Sequence, residues 1–128
     1  MKKVLAIIIL VILFKEARAQ KIDNIELLVT NIQELRDCYI VTTFDKLNMD
    51  SVYLISVKEK IDNKRGYKKL LLNKEYLFKV EDTRNMANPP DNNFVLRIKK
   101  TVVWRGSDDF KKYPLLSRNT KGLWIKKP

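Results

Sequence analysis

Hydrophobic positions along most of this chain recur at every second residue, the period of a half-buried strand rather than of a helix. Cys38 to Phe44 reads Cys-Tyr-Ile-Val-Thr-Thr-Phe, crowded with β-branched and aromatic residues. Leu47-Asn48-Met49-Asp50 supplies a turn, and Ser51 to Glu59 a second strand with Tyr53, Ile55 and Val57 on one face. Together they predict a hairpin. A polar loop, Ile61 to Gly66, follows, with Asn63 and Gly66 suited to left-handed backbone.

The stretch RGYKKLLLNKEYLFKV, residues 65 to 80, interleaves cations with leucines and aromatics. Its pattern predicts a short strand over Lys69 to Leu72, a tight turn at Asn73-Lys74, and a strand from Glu75 to Asp82. Alternation places Tyr76, Phe78 and Val80 inside and Glu75, Leu77, Lys79 and Glu81 outside. That outer face mixes both charge signs, so it is an ordinary soluble face. Thr83 to Asn93 is a loop, because Pro89-Pro90 cannot occupy a central strand. Phe94 to Trp104 is read as one strand. Phe94, Leu96, Ile98, Val102 and Trp104 share its apolar parity, and Val95, Arg97, Lys99, Thr101 and Val103 the other. Lys100 breaks the pattern and predicts a bulge or an edge near Lys99-Lys100.

Residues 22 to 35 carry two signals. Ile25, Leu27 and Val29 alternate as in a strand, while Ile22, Ile25, Val29, Ile32 and Leu35 also fit a helical stripe. A strand from Ile25 to Ile32 is expected, with a helix as the alternative. In the tail, Leu123-Trp124-Ile125 is expected to add one short strand or to dock on the mouth of the domain.

The N-terminus changes the picture of where the protein works. Lys2 and Lys3 precede an apolar run from Val4 to Phe14, and Ala17-Arg18-Ala19 follows as a cleavage signal. This order predicts a secretory signal peptide over 1–19. The run is shorter than the roughly 20 apolar residues of a membrane-spanning helix, so membrane attachment is expected only through an uncleaved leader. The domain proper is then 20–128, divided into a barrel core over 25–104 and a basic C-terminal extension over 105–128. The full chain has 26 Lys and Arg against 15 Asp and Glu. Loss of Lys2, Lys3, Lys15, Arg18 and Glu16 leaves 22 against 14, a net +8. Such a charge suits an acidic partner or surface. Cys38 has no second cysteine to pair with, so it is expected as a small buried hydrophobe in a core held by packing alone.

The expected fold class is mainly β: a small single-domain, OB-like barrel or sandwich of five to six short strands. Ser-Val-Tyr-Leu-Ile-Ser-Val-Lys (51 to 58) and Leu-Leu-Leu-Asn-Lys-Glu-Tyr-Leu-Phe-Lys-Val (70 to 80) resemble a pattern in small exported bacterial proteins of unknown function with an OB-like β-barrel. That pattern places a Tyr in each of these strands, as at Tyr53 and Tyr76, and often a Gly where this chain has Asn73. The resemblance implies fold class and export, and no activity.

Chemistry is bounded by absence. With no histidine and one cysteine, neither a His-based triad nor a thiolate zinc site can be assembled from one chain, and no Gly-rich phosphate loop is present. The pairs Glu81-Asp82 and Asp108-Asp109 read as surface or turn residues. No catalytic residue, metal ligand or cofactor is expected, and the protein is not expected to be an enzyme. Binding is the better class. The leading expectation is an exported, periplasmic or secreted protein-interaction module (inhibitor, immunity-type or accessory protein) with a partner that suits its positive charge. The alternative is a polyanion-binding barrel for single-stranded nucleic acid or an acidic glycan. Candidate binding residues are Arg65, Tyr67, Lys68, Lys69, Arg97, Lys99 and Lys100, with Trp104 as a second stacking candidate that is expected mainly in the core. The polyanion reading needs both basic groups on one concave face. The protein reading needs an apolar patch, with Val52, Leu54 or Trp124 as candidates.

Overall fold

The computed structural model describes residues 22–82, 95–105 and 113–128. The predicted leader over 1–19, the loop over Thr83 to Asn93, and Asp108-Asp109 lie outside them. Among these residues ten strands are formed: β1 (Ile22–Glu34), β2 (Cys38–Asp45), β3 (Asp50–Val57), β4 (Tyr67–Lys69), β5 (Glu75–Asp82), β6 (Val95–Ile98), β7 (Thr101–Arg105), β8 (Leu115–Ser117), β9 (Thr120–Lys121) and β10 (Trp124–Lys126). A 3₁₀ turn covers Lys64–Gly66.

Five strands close a barrel in the order β1-β2-β3-β8-β5. All its pairs are antiparallel except β3 with β8, which is parallel. The mainly β fold with a small closed barrel, expected from the pattern, is therefore found. Closure removes the exposed edges that an open five-stranded sheet would present.

The long first strand is what lets so few strands close. Ile22 to Leu28 pairs with β5, and Leu28 to Glu34 with β2, so Leu28 faces both Glu75 and Phe44. A register shift between Val29 and Asn31 marks a bulge at Thr30. Ile25, Leu27 and Val29 pack inward before it and Ile32 after it. One inserted residue bends a strand and flips its parity. The helix-like spacing of Ile25, Val29 and Ile32 is thus produced by a bulged strand, and the strand expectation holds.

The barrel core contains Leu27, Val29, Val41, Leu54, Leu70, Tyr76, Phe78, Val80 and Ile125. Phe78 is fully buried. Tyr76 is also buried, and its hydroxyl is satisfied by the β4–β5 turn: it accepts from the Leu71 N–H at 2.9 Å and donates to the Lys69 carbonyl at 3.3 Å. Leu70 and Ile125 come from outside the barrel strands. Leu70 directly follows β4 and Ile125 lies in β10, so the side that carries the small sheet β4-β10-β9 completes the core. The Leu123 to Ile125 expectation is met by β10.

Four expectations need correction. The short strand expected over Lys69 to Leu72 lies earlier, at Tyr67–Lys69 as β4, and Leu70 to Leu72 are not in a strand. Phe94 to Trp104 is not one strand: β6 and β7 form an antiparallel hairpin whose turn is Lys99-Lys100, with Lys99 at φ 54°. The parity break at Lys100 therefore marked a reversal of the chain. Left-handed backbone occurs at Met49, Asn73, Lys99 and Gly122 among the described residues, and not at Asn63 or Gly66. Asn73, at φ 63°, supports the tight turn expected there, since Asn tolerates this region better than most residues. Finally, the segment after 105 contributes β8, a barrel strand between β3 and β5, rather than lying wholly outside the barrel core.

Candidate binding surfaces

Strands β2 and β3 are buried on both faces, and this decides where a binding surface can lie. Val52, Leu54 and Val41 face the barrel interior. Cys38, Ile40, Ile55 and Val57 face outward into a second cluster with Leu96, Ile98, Val103, Trp104 and Leu116. The β6–β7 hairpin covers the outer surface of the β2–β3 pair. Tyr53, Ile55 and Val57 do share a face, as expected, but it is the face under the hairpin and not the barrel interior. Val52 and Leu54 are correspondingly no surface patch: Leu54 is fully buried.

Asp37, in the β1–β2 turn, ties down the hairpin tip. Its Oδ2 accepts from Thr101 Oγ1 at 2.7 Å and from the Lys100 N–H at 3.3 Å. The Thr101 hydroxyl, more than any other group, holds the Asp37 carboxyl below its ordinary range, with help from the Lys100 amide and the charges of Arg36 and Lys99. Under the hairpin, burial and the neighbouring Asp37 charge push the Cys38 thiol up to about 11. Cys38 is fully buried, as expected, in the cluster between barrel and hairpin.

The hairpin does not cover the outer face completely. Between it and the barrel lies a groove of about 380 Å³ lined by Leu35, Ile40, Tyr53, Val103, Trp104 and Pro114, with Gln33, Thr42 and Val102 at its margin. Among the described residues no charged side chain lines it. Trp104 and Val103 both reach this side because the hairpin register shifts opposite Leu96 and Arg97, leaving Val103 as a bulge. The expectation that Val103 and Trp104 point to opposite faces is thereby overturned. Trp104 is half-buried and packs against Tyr113, with ring centroids 4.5 Å apart and the planes tilted at 57°.

The structure divides the sequence-predicted cations. Arg65 lies exposed in the 3₁₀ turn, where its N–H donates to Asn63 Oδ1 at 3.0 Å. Tyr67 is half-buried on β4, opposite Lys126. Lys68 is exposed, with Nζ 5.1 Å from the Tyr76 ring centroid. Lys69 is exposed and opposes Trp124. Arg97, Lys99 and Lys100 are exposed on the separate β6–β7 sheet. The principal clefts among the described residues draw on one group or on neither. The concave face shared by residues 65–69 and 97–100, which the polyanion expectation requires, is not formed there. Trp124 is half-buried, and Lys64 Nζ lies 4.9 Å from its ring centroid. Like Tyr39 under Lys58 Nζ at 5.1 Å, it presents a cation-covered ring rather than an open apolar patch.

The groove was not legible as a site because its residues come from β1, β2, β3, β7 and the segment before β8. Each taken alone looks like one face of a strand. The signal that was available is the excess of apolar residues on both parities of β2 and β3, which implies a second covering layer.

Among the described residues no group of three Cys, Asp or Glu side chains is placed to hold a metal ion, and no helix is long and apolar enough to cross a membrane. No family model matches the chain, and no curated protein or solved structure matches it.

Proposed function

We propose that this protein is an exported protein-interaction module that receives an apolar segment of a partner protein in the groove between the barrel and the β6–β7 hairpin. The observation that carries this reading is the lining of that groove: aliphatic and aromatic side chains, two uncharged polar residues, and, among the described residues, no charge. Interface cores have this composition, enriched in Tyr and Trp and depleted of charge. Tyr53 and Trp104 are the anchors of the reading, with Ile40 and Val103 as the apolar floor. Lys99 and Lys100 lie on the same hairpin but outside the groove, where exposed cations steer an acidic partner toward it without carrying the affinity. On this reading the signal-like leader directs the chain to the periplasm or outside the cell, and the partner is met there. The reading includes no catalytic step, no cofactor and no metal.

The test is capture of partners by the chain from Gln20 to Pro128, using envelope and secreted fractions at two salt concentrations, beside a Tyr53→Asp variant. A stoichiometric protein that survives the higher salt and is lost with Tyr53→Asp supports the reading. Retention by Tyr53→Asp, or loss of all binding at the higher salt, overturns it, since an apolar contact is not screened by salt.

A further inference from the structure

A larger cleft lies on another side of the molecule, where the outer surfaces of β1 and β5 meet the β4-β10 sheet; it holds about 500 Å³. Four lysines line it, Lys68, Lys79, Lys126 and Lys127, against two glutamates, Glu26 and Glu75. The lysines come from β4, β5, β10 and the residue after β10, so the fold gathers cations that are far apart in sequence. Lys126 stands at the rim, shared with the neighbouring cleft around Tyr67. Among the described residues none of the four lysines forms an ion pair with a carboxylate. Like charges drawn into one concavity without partners repel one another, and a bound anion relieves this.

The two glutamates narrow the chemistry. They are diagonal neighbours across the β1–β5 pair, since Glu26 opposes Leu77 and Glu75 opposes Leu28. Glu75 is also held by Lys46, whose ammonium is paired with its carboxylate. A continuous phosphate backbone laid along this cleft would meet both carboxylates. Single-stranded nucleic acid also needs an open aromatic on which bases stack, and the aromatic in this cleft, Tyr76, is buried with Lys68 over its ring. A sugar polymer with acidic groups needs no stacking aromatic, and its hydroxyls offer the two carboxylates hydrogen-bond donors that a deoxyribose-phosphate backbone lacks. Its carboxylates or sulfates face the lysines, its hydroxyls donate to Glu26 and Glu75, and its apolar ring faces lie against Leu77, which is half-exposed.

One wall of the cleft is unusually well fixed. Asn119 imitates a strand residue: its Oδ1 accepts from the Lys79 N–H at 2.9 Å and its Nδ2 donates to the Leu77 carbonyl at 2.9 Å. The Arg118 N–H continues the ladder to the Lys79 carbonyl at 2.7 Å. The backbone that carries Lys79 and Leu77 is thereby held rigid, as a preorganised site requires.

We propose that this cleft binds an acidic oligosaccharide, with Lys68, Lys79 and Lys127 holding its anionic groups and Glu26 and Glu75 accepting its hydroxyls. The site is independent of the uncharged groove, and it uses one only of the cations singled out from the sequence, Lys68.

The test is titration calorimetry of the chain from Gln20 to Pro128 with a galacturonate hexamer and, separately, a thymidylate hexamer. The double variant Lys79→Gln/Lys127→Gln is compared with Lys99→Gln/Lys100→Gln, which removes the same charge from the hairpin. All four lysines are exposed, and circular dichroism confirms that both variants fold. Binding of the galacturonate hexamer is expected, with the cleft variant weaker by about five- to tenfold and the hairpin variant unchanged. Equal weakening by both variants would reduce the site to overall charge and overturn the proposal. So would tighter binding of the thymidylate hexamer, or no binding of the galacturonate hexamer.

Discussion

Thr101 Oγ1 donates a hydrogen bond of 2.7 Å to Asp37 Oδ2, joining residues 64 apart in the chain. This contact fastens the tip of the β6–β7 hairpin to the β1–β2 turn. The second hydrophobic cluster, with Cys38 at its centre, is sealed by the same hairpin.

Cys38 therefore reports on hairpin closure. A fully buried thiol held near 11 has little thiolate at neutral pH. Labelling by a thiol reagent is expected to be slow in the folded protein, faster in Thr101→Val, and fast on denaturation. Rapid labelling of the wild-type protein would contradict the packing described for β2.

Acid should loosen the same contact. The Asp37 carboxyl is held below its ordinary range in the folded chain, so its contribution to stability is complete above the unfolded value and is lost as the pH falls through the folded one. Below about pH 4, Cys38 labelling with a pyridyl disulfide is expected to accelerate in the wild type. Asp37→Asn should label faster already at neutral pH and show a smaller acid step. An acid step of equal size in Asp37→Asn would assign the effect to other carboxylates.

Much of the barrel was legible because its strands obey period two where one face meets the core. Tyr76, Phe78 and Val80 in β5 are buried as the alternation requires, and Leu77 and Lys79 are exposed. The pattern failed where the chain departs from a simple two-faced strand. The bulge at Thr30 made β1 resemble a helix, the bulge at Val103 moved a residue onto the groove side, and the hairpin buried both faces of β3. β8 is three residues long, too short for any period to register. Its place in the barrel is set by long-range pairing with β3 and β5. The cations at 65–69 and 97–100 were visible individually, but only tertiary structure decides that they fall in different sheets.

The barrel core should behave as a close-packed interior. Phe78→Ala removes a fully buried ring and is expected to cost about 3–5 kcal/mol, measured by urea denaturation. Leu77→Ala, on the outer face of the same strand, should change stability by less than about 1 kcal/mol. Similar losses in the two would contradict the assigned strand parity.

Lys99 occupies left-handed backbone at φ 54° in the β6–β7 turn, a conformation that costs a non-glycine residue roughly 1–2 kcal/mol. Lys99→Gly relieves this at the expense of unfolded-chain entropy, about 0.5–1 kcal/mol. A small net gain in melting temperature is expected from calorimetry, and Lys99→Val, β-branched at the same position, should lower it.

The most direct test of the interaction reading is positional photo-crosslinking. A photoreactive side chain is placed at Gln33, on the margin of the uncharged groove, and in a second protein at Leu77, on the far β5 surface. Both are exposed to the envelope and secreted fractions at high salt. The account predicts one protein adduct from position 33 and none from position 77. Adducts of equal yield from both positions, or none from position 33, would contradict it.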